Sequence, residues 1–215
     1  MMKLIDTKSR ICITNTPLRP LISFSMANLA EIKSDSSILD PFAGSCSIPL
    51  AAASIEPTCK TVGIEISNAV RFENIIKDFE LRNLNLPSAL IRGDASDTLI
   101  REKARKAIDG NAFDAIITDP PYGLRERIDI HTDSPIVSMM KWIKEDRENG
   151  KRLIKNGGKL VAFCPNLEKE NFEDLIVGMP NEQLLDEAGM KLISQMKQPL
   201  NEALCRWLVV FECIR

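Results

Sequence analysis

Residues 113–123 read FDAIITDPPYG, from Phe113 to Gly123. The first six positions are almost continuously apolar, which fits a strand covered on both faces better than one with a wet side. The run stops at Asp119-Pro120-Pro121, which cannot continue as a central strand or a helix. A strand buried on both faces belongs in a parallel sheet, so the flanking chain should alternate strands with crossover helices.

Upstream, Leu18, Leu21, Ile22, Ser25, Leu29 and Ile32 recur at near-helical spacing. A short strand, Ile38-Leu39, leads into Asp40-Pro41-Phe42-Ala43-Gly44-Ser45, and Ile48 to Ala53 reads as a helix with Pro49 in its first turn. Thr61 to Ile66 is the next strand. Ser67 or Asn68 is a candidate cap for a helix carrying Val70, Phe72, Ile75, Ile76 and Phe79. Ala89-Leu90-Ile91 precedes Gly93-Asp94, and Asp97 is a candidate cap for a helix reaching Ile108.

Downstream of the opening stretch, Ser134 to Lys155 predicts a charged amphipathic helix, with Gly157-Gly158 as its stop before a strand over Lys159 to Cys164. A helix around Asn181 to Ala188 is followed by strands Lys191 to Met196 and Trp207 to Ile214. The short link between those two leaves no room for a crossover helix, so they should pair antiparallel. The expected architecture is an α/β sheet of seven strands, mostly parallel, with an antiparallel C-terminal pair and helices on both faces.

The chain has 215 residues, enough for one well-buried domain. Residues 1–15 read as an N-terminal extension and residues 16–215 as the core. With 28 basic and 30 acidic residues, the net charge is -2. A nucleic-acid binder working alone usually carries a basic excess, so an RNA substrate would need phosphate contacts from elsewhere. The six cysteines form no Cys-x-x-Cys pair and no zinc-like spacing, so buried free thiols, a reducing compartment and no metal site are expected. No apolar run approaches membrane-helix length, and MMKLIDTKSR lacks the apolar centre of a signal peptide. The expectation is a soluble, cytoplasmic protein with no membrane association.

Open parallel sheets bind ligands beyond the carboxyl ends of their strands, near the switch in strand order. Four successive strands here end at Asp40, Glu65, Asp94 and Asp119. One such carboxylate often only caps the next helix, but four at one edge suggest a site. Gly44 and its small neighbours would let backbone approach a ligand. Glu65 follows Asp40 at an interval that suits an acid accepting from ribose hydroxyls, which leaves a nicotinamide dinucleotide and S-adenosylmethionine both open.

The Asp119-Pro120-Pro121-Tyr122-Gly123 element resembles the amino-methylation motif of class I S-adenosylmethionine-dependent methyltransferases. Together, PLRPLISFSMANLA, ILDPFAGSCSIPLAAA and FDAIITDPPYGLRER resemble the tRNA guanine-N2-methyltransferases that act on guanosine 10, over roughly residues 16 to 127. The resemblance implies a Rossmann-like class I methyltransferase fold, S-adenosylmethionine as cofactor and tRNA or another RNA as substrate. It implies cofactor contacts at Asp40, Phe42, Ala43, Gly44, Glu65, Asp94 and Asp119, with the adjoining Ser45, Ile66 and Ala95. It implies catalytic roles for Asp119, Pro120 and Tyr122, and substrate contacts at Pro121, Tyr122 and Arg125.

The chemistry suits those residue types. An exocyclic amine on a base is a poor nucleophile because its lone pair is delocalised into the ring. Asp119 and the Pro120 carbonyl can each accept an amine hydrogen, and a fixed carboxylate stabilises the positive charge that develops on nitrogen. Tyr122 offers a stacking face for an extruded base. The same motif serves adenine N6 and protein amides, and a cofactor-binding scaffold without catalysis is a further reading.

The sequence departs from the family in two ways. Cys46 stands where the family usually has a second glycine. The family also carries an N-terminal RNA-binding region containing a THUMP domain, where this chain has about fifteen residues. That implies either a fragment or RNA binding delegated to a separate region, and a small zinc-binding activator subunit as a candidate partner. Arg125 and Arg127 are candidates for a phosphate contact or simply solvated, His131 reads as surface, and Trp142 with Met139-Met140 reads as helix packing.

Overall fold

The computed structural model describes residues 9–14, 17–121, 133–166, 178–200 and 205–215. In chain order the elements are α1 (Pro20–Leu29), β1 (Ser37–Asp40), α2 (Ser47–Ile55), β2 (Lys60–Glu65), α3 (Phe72–Glu80), β3 (Ala89–Arg92) and α4 (Thr98–Lys106). They continue with β4 (Phe113–Thr118), α5 (Pro135–Glu148), β5 (Ile154–Asn166), α6 (Glu182–Ala188), β6 (Met190–Pro199) and β7 (Cys205–Cys213). The strands form one sheet in the order β3-β2-β1-β4-β5-β7-β6. Strands β1 to β5 pair in parallel, and β7 runs antiparallel to both β5 and β6. This is the expected Rossmann-like sheet with its antiparallel C-terminal pair.

Side-chain alternation explains the layering. Leu39, Ile116, Leu160, Ala162, Val209 and Phe211 face one core, shared with Ile100, Met139, Met140 and Ile143 of α4 and α5. Ile38, Ile117, Val161, Phe163, Leu208 and Val210 face the other, shared with Met26, Leu50, Ile75 and Phe79 of α1, α2 and α3. Period-two strands with both faces apolar need helices on both sides, and they have them.

Local chemistry fixes several helix starts. The side chains of Asp97, Ser134 and Asn181 accept from the backbone N–H groups of Leu99 (2.8 Å), Val137 (3.1 Å) and Leu184 (2.8 Å). Pro20 and Pro135 occupy first-turn positions where no N–H is needed.

Two sequence expectations are corrected. First, α3 begins at Phe72 after Arg71, not at Ser67 or Asn68. Arg92 donates to the carbonyls of Ser67 and Val70 and stacks over the Phe72 ring at 4.2 Å, which holds residues 67–70 as a turn. Second, α5 ends at Glu148, and Gly157-Gly158 lie inside β5. The β4–β5 register shifts between Phe113 and Ala115, and the extra residues of β5 are taken up there. Gly157 adopts φ +73°, and a Cβ on Gly158 would stand 2.8 Å from the Asp114 carbonyl oxygen, so the irregularity needs both glycines.

All six cysteines are buried free thiols, as expected. Among the described residues no helix is long and apolar enough to cross a membrane, and no cluster of three His, Cys, Asp or Glu could hold a metal ion.

Candidate active site

β1 and β4 are neighbours at the centre of the sheet, and the strand order reverses between them. Asp40 ends β1 and Asp119 follows β4, so the two carboxylates flank the crevice where such sheets take ligands. A small cleft of about 70 Å³ opens there, lined by Asp40, Phe42, Gly44, Ser45, Asp119 and Thr14 among others.

Asp40 is fully buried. Its Oδ1 accepts from Thr118 Oγ1 at 2.7 Å and from the Phe42 N–H at 3.2 Å. Burial, aided by the charges of Asp119 and Glu65 against the two hydrogen bonds, pushes its carboxyl up to about 7.

The loop after β1 is tied to β2. Ala43 N–H donates to the Ile64 carbonyl at 2.9 Å, and Gly44 N–H donates to Glu65 Oε2 at 2.8 Å. Glu65 Oε1 accepts from Ser67 N–H at 2.6 Å, so the carboxylate is held in place with lone pairs to spare for hydroxyl donors. Close approach needs a glycine on β2, because a Cβ on Gly63 would meet the Ala43 Cβ at 3.0 Å and the Cys46 Sγ at 3.3 Å.

Cys46 adopts a left-handed conformation at φ 59°, ψ 37°, directly before α2. That is backbone geometry glycine takes without strain, so the substitution noted in the sequence falls on a position with a conformational cost. Ile66 is 65% exposed beside Glu65 and offers an apolar face at the same edge. Asp94 is exposed, with Oδ1 accepting from Ser96 N–H, while Ala95 is buried in the core.

Asp119 is not packed inward. Its side chain is 21% exposed, and both oxygens lie 3.2 Å from Nη1 of Arg206. Pro120 is buried and Pro121 exposed, so the tandem prolines span the rim. Tyr122 and Arg125, with Gly123, Leu124, Glu126, Arg127 and His131, lie outside the described residues.

Three site residues were missed in the sequence. Thr118 bonds Asp40 across the β1–β4 pair. Arg206, only 6% exposed at the start of β7, stacks on the Phe163 ring at 3.6 Å and donates through Nε to Gln198 Oε1 at 2.7 Å. An arginine opening an apolar strand is the one visible signal, because a buried cation needs a partner. Arg10 donates to the Ser45 carbonyl, to Ser47 Oγ at 3.3 Å and to Asp78 Oδ2 at 3.0 Å. Asp78 also accepts from the N–H groups of Ile11 and Cys12, both at 2.9 Å. Residues 10–12, within the segment read as an extension, are thus fastened to α3 and to the loop that shapes the cleft.

The chain matches, over residues 8–184, the family described as UPF0020, RMKL-like, methyltransferase domain. It is 26% identical over 235 residues to the tRNA (guanine(10)-N(2))-methyltransferase TRMT11 of Gallus gallus, covering 97% of this chain and 49% of that protein. Over 105 residues it is 30% identical to the tRNA (guanine(10)-N2)-dimethyltransferase of Methanocaldococcus jannaschii, covering 49% of this chain and 28% of that protein. TrmN from Thermus thermophilus superimposes with a TM-score of 0.58 at 20% identity, covering 93% of this chain and 50% of that one, and so shares the fold. The chain spans about half the length, or less, of these relatives. With its family matched across most of its length, and with that family's fold in place, the chain belongs to the RMKL-like methyltransferase-domain family.

Proposed function

We propose that the chain is the catalytic part of an S-adenosylmethionine-dependent tRNA methyltransferase acting on the exocyclic N2 amine of guanosine 10. The observation that carries this reading is the position of Asp119, which shares one cleft with Asp40 and the Gly44 loop at the switch in strand order. The named activities of the relatives support the choice of acceptor.

The residues present fit the cofactor. The Glu65 carboxylate has spare acceptor capacity for ribose hydroxyls, Ile66 offers an apolar surface for a base, and a Cβ on Gly44 would meet nothing within 4 Å among the described residues beyond its chain neighbours. When bound there, S-adenosylmethionine supplies a methyl group on a positively charged sulfur. Asp40, Phe42, Ala43, Ser45, Asp94 and Ala95 belong to the loops that would frame it.

Asp119 accepts one amine hydrogen and the Pro120 carbonyl the other, which turns the nitrogen lone pair toward the methyl donor. As nitrogen loses planarity and gains positive charge, the fixed carboxylate stabilises it. Arg206 limits the carboxylate's rotation through its contacts to both oxygens. Tyr122 and Pro121 would hold the base, and Arg125 a neighbouring phosphate.

The net charge of -2 supports a reading in which most of the grip on tRNA comes from a separate RNA-binding region or an activator subunit. The reading places the protein in the cytoplasm. Unmodified tRNA incubated with the protein and radiolabelled S-adenosylmethionine, then digested to nucleosides, tests the function. The label is expected in N2-methylguanosine and is lost in the Asp119→Ala variant; label in N6-methyladenosine, or transfer undiminished in the variant, refutes it.

A further inference from the structure

α4 and α5 both end at the edge of the sheet where β4 and β5 begin, opposite the edge that carries Asp119. Between their last turns lies a groove of about 660 Å³, lined by Arg105, Lys106, Arg147, Lys151, Arg152 and Glu102 among others. Arg105 is 4% exposed. Its Nη1 donates to Asp146 Oδ2 at 2.8 Å, but Asp146 also accepts from Arg101 Nε and Nη2, both at 3.0 Å. One buried carboxylate therefore serves two buried guanidinium groups.

The other end of Arg105 is unsatisfied. Its Nη2 has no hydrogen-bond partner among the described residues. A buried charged donor left unpaired is costly, and native proteins that keep one usually supply an ion or a water. The residues around it have spare positive charge. Lys151 is paired with Glu102, but Lys106 makes no ion pair among the described residues. Among the described residues Arg152 donates to the neutral Asn156 Oδ1 at 2.6 Å, and Arg147 to the Glu187 carbonyl at 3.3 Å.

Helix ends account for part of this. Each helix C-terminus carries roughly half a negative charge, which favours cations in its last turn. Five cations against one lining carboxylate still leave a positive surplus after both helix ends are counted, in a chain whose net charge is -2. A guanidinium fork with free N–H groups, backed by ammonium groups, matches tetrahedral oxyanions.

We infer that this groove binds phosphate groups, at a site separate from the methyl-transfer cleft. The phosphate belongs either to a small phosphorylated molecule or to an RNA backbone. Titration with inorganic phosphate, against sodium chloride at matched ionic strength and read by calorimetry, tests the site. Saturable heat is expected for the wild-type chain. A Lys106→Glu/Arg152→Glu double variant, with unchanged circular dichroism and unchanged S-adenosylmethionine affinity, is expected to bind at least tenfold more weakly. A single-stranded oligoribonucleotide added to the phosphate complex then separates the sources. Displacement of phosphate assigns the groove to backbone phosphates, and phosphate retained assigns it to a free phosphorylated ligand. No phosphate-specific heat, or equal binding by the double variant, overturns the inference. None of these readouts uses methyl transfer, so they stand or fall apart from the proposed activity.

Discussion

Replacing Asp40 by Asn should remove a specific pH dependence of stability. The carboxyl is buried and its folded-state value is pushed from 3.8 to about 7, mainly by desolvation. Between those two values the unfolded chain gives up this proton while the folded chain keeps it, so rising pH favours unfolding. The stability tied to the protonated carboxyl is fully present below about 4 and is lost as pH rises through about 7. A shift of about three units corresponds to roughly 4 kcal/mol, an upper value because local relaxation softens burial costs.

The assay is urea unfolding of wild type and Asp40→Asn at half-unit steps from pH 4 to pH 8.5, with slopes compared so that midpoints report free energy. Other titrating groups are common to both proteins and cancel in the difference. The amide keeps the acceptor oxygen that Thr118 and Phe42 use, so the variant should fold. The stability of wild type relative to the variant should fall by a few kcal/mol between pH 4 and pH 7 and then level off. Parallel curves would show that the Asp40 carboxyl is not raised in the folded protein. A functional corollary follows, since the cationic methyl donor should bind more tightly as pH rises through about 7, while its uncharged-sulfur product should show a weaker trend.

Arg206→Met should lower the methyl-transfer rate more than cofactor affinity, and destabilise the fold by about 1–3 kcal/mol, because it strips Asp119 of a charged donor; single-turnover rates beside calorimetric cofactor titration check both. Cys46→Val should cost about 2 kcal/mol or more, since a β-branched side chain is forced to φ 59°, and Cys46→Gly should cost less; urea midpoints decide. Burial pushes the Cys59 and Cys164 thiols up to about 11 and about 12 and leaves all six cysteines covered. Alkylation at pH 7.5 followed by mass spectrometry should find them slow to react when folded and all reactive in denaturant.

The sheet was legible because its signals are local. Phe113–Thr118 is apolar at nearly every position, and the turn residues after Asp40 and Asp119 punctuate the chain where the strands end. The acidic edge followed from those strand ends. What escaped depends on partners far away in sequence. Arg92 converts Ser67 to Val70 from a helix start into a turn, 22 or more residues away. Arg206 reaches Asp119 across 87 residues because β7 pairs with β5, and no periodicity announces that contact. Gly157-Gly158 look like a helix stop, since a strand irregularity and a helix terminus ask for the same residue.

Replacing the acceptor itself tests the proposed methyl transfer at its reacting atom. Two otherwise identical unmodified tRNAs, one with guanosine at position 10 and one with inosine, differ only in the 2-amino group that Asp119 is held to grip. With labelled S-adenosylmethionine, methyl transfer is expected to the first and none above background to the second. Equal labelling of both would contradict it.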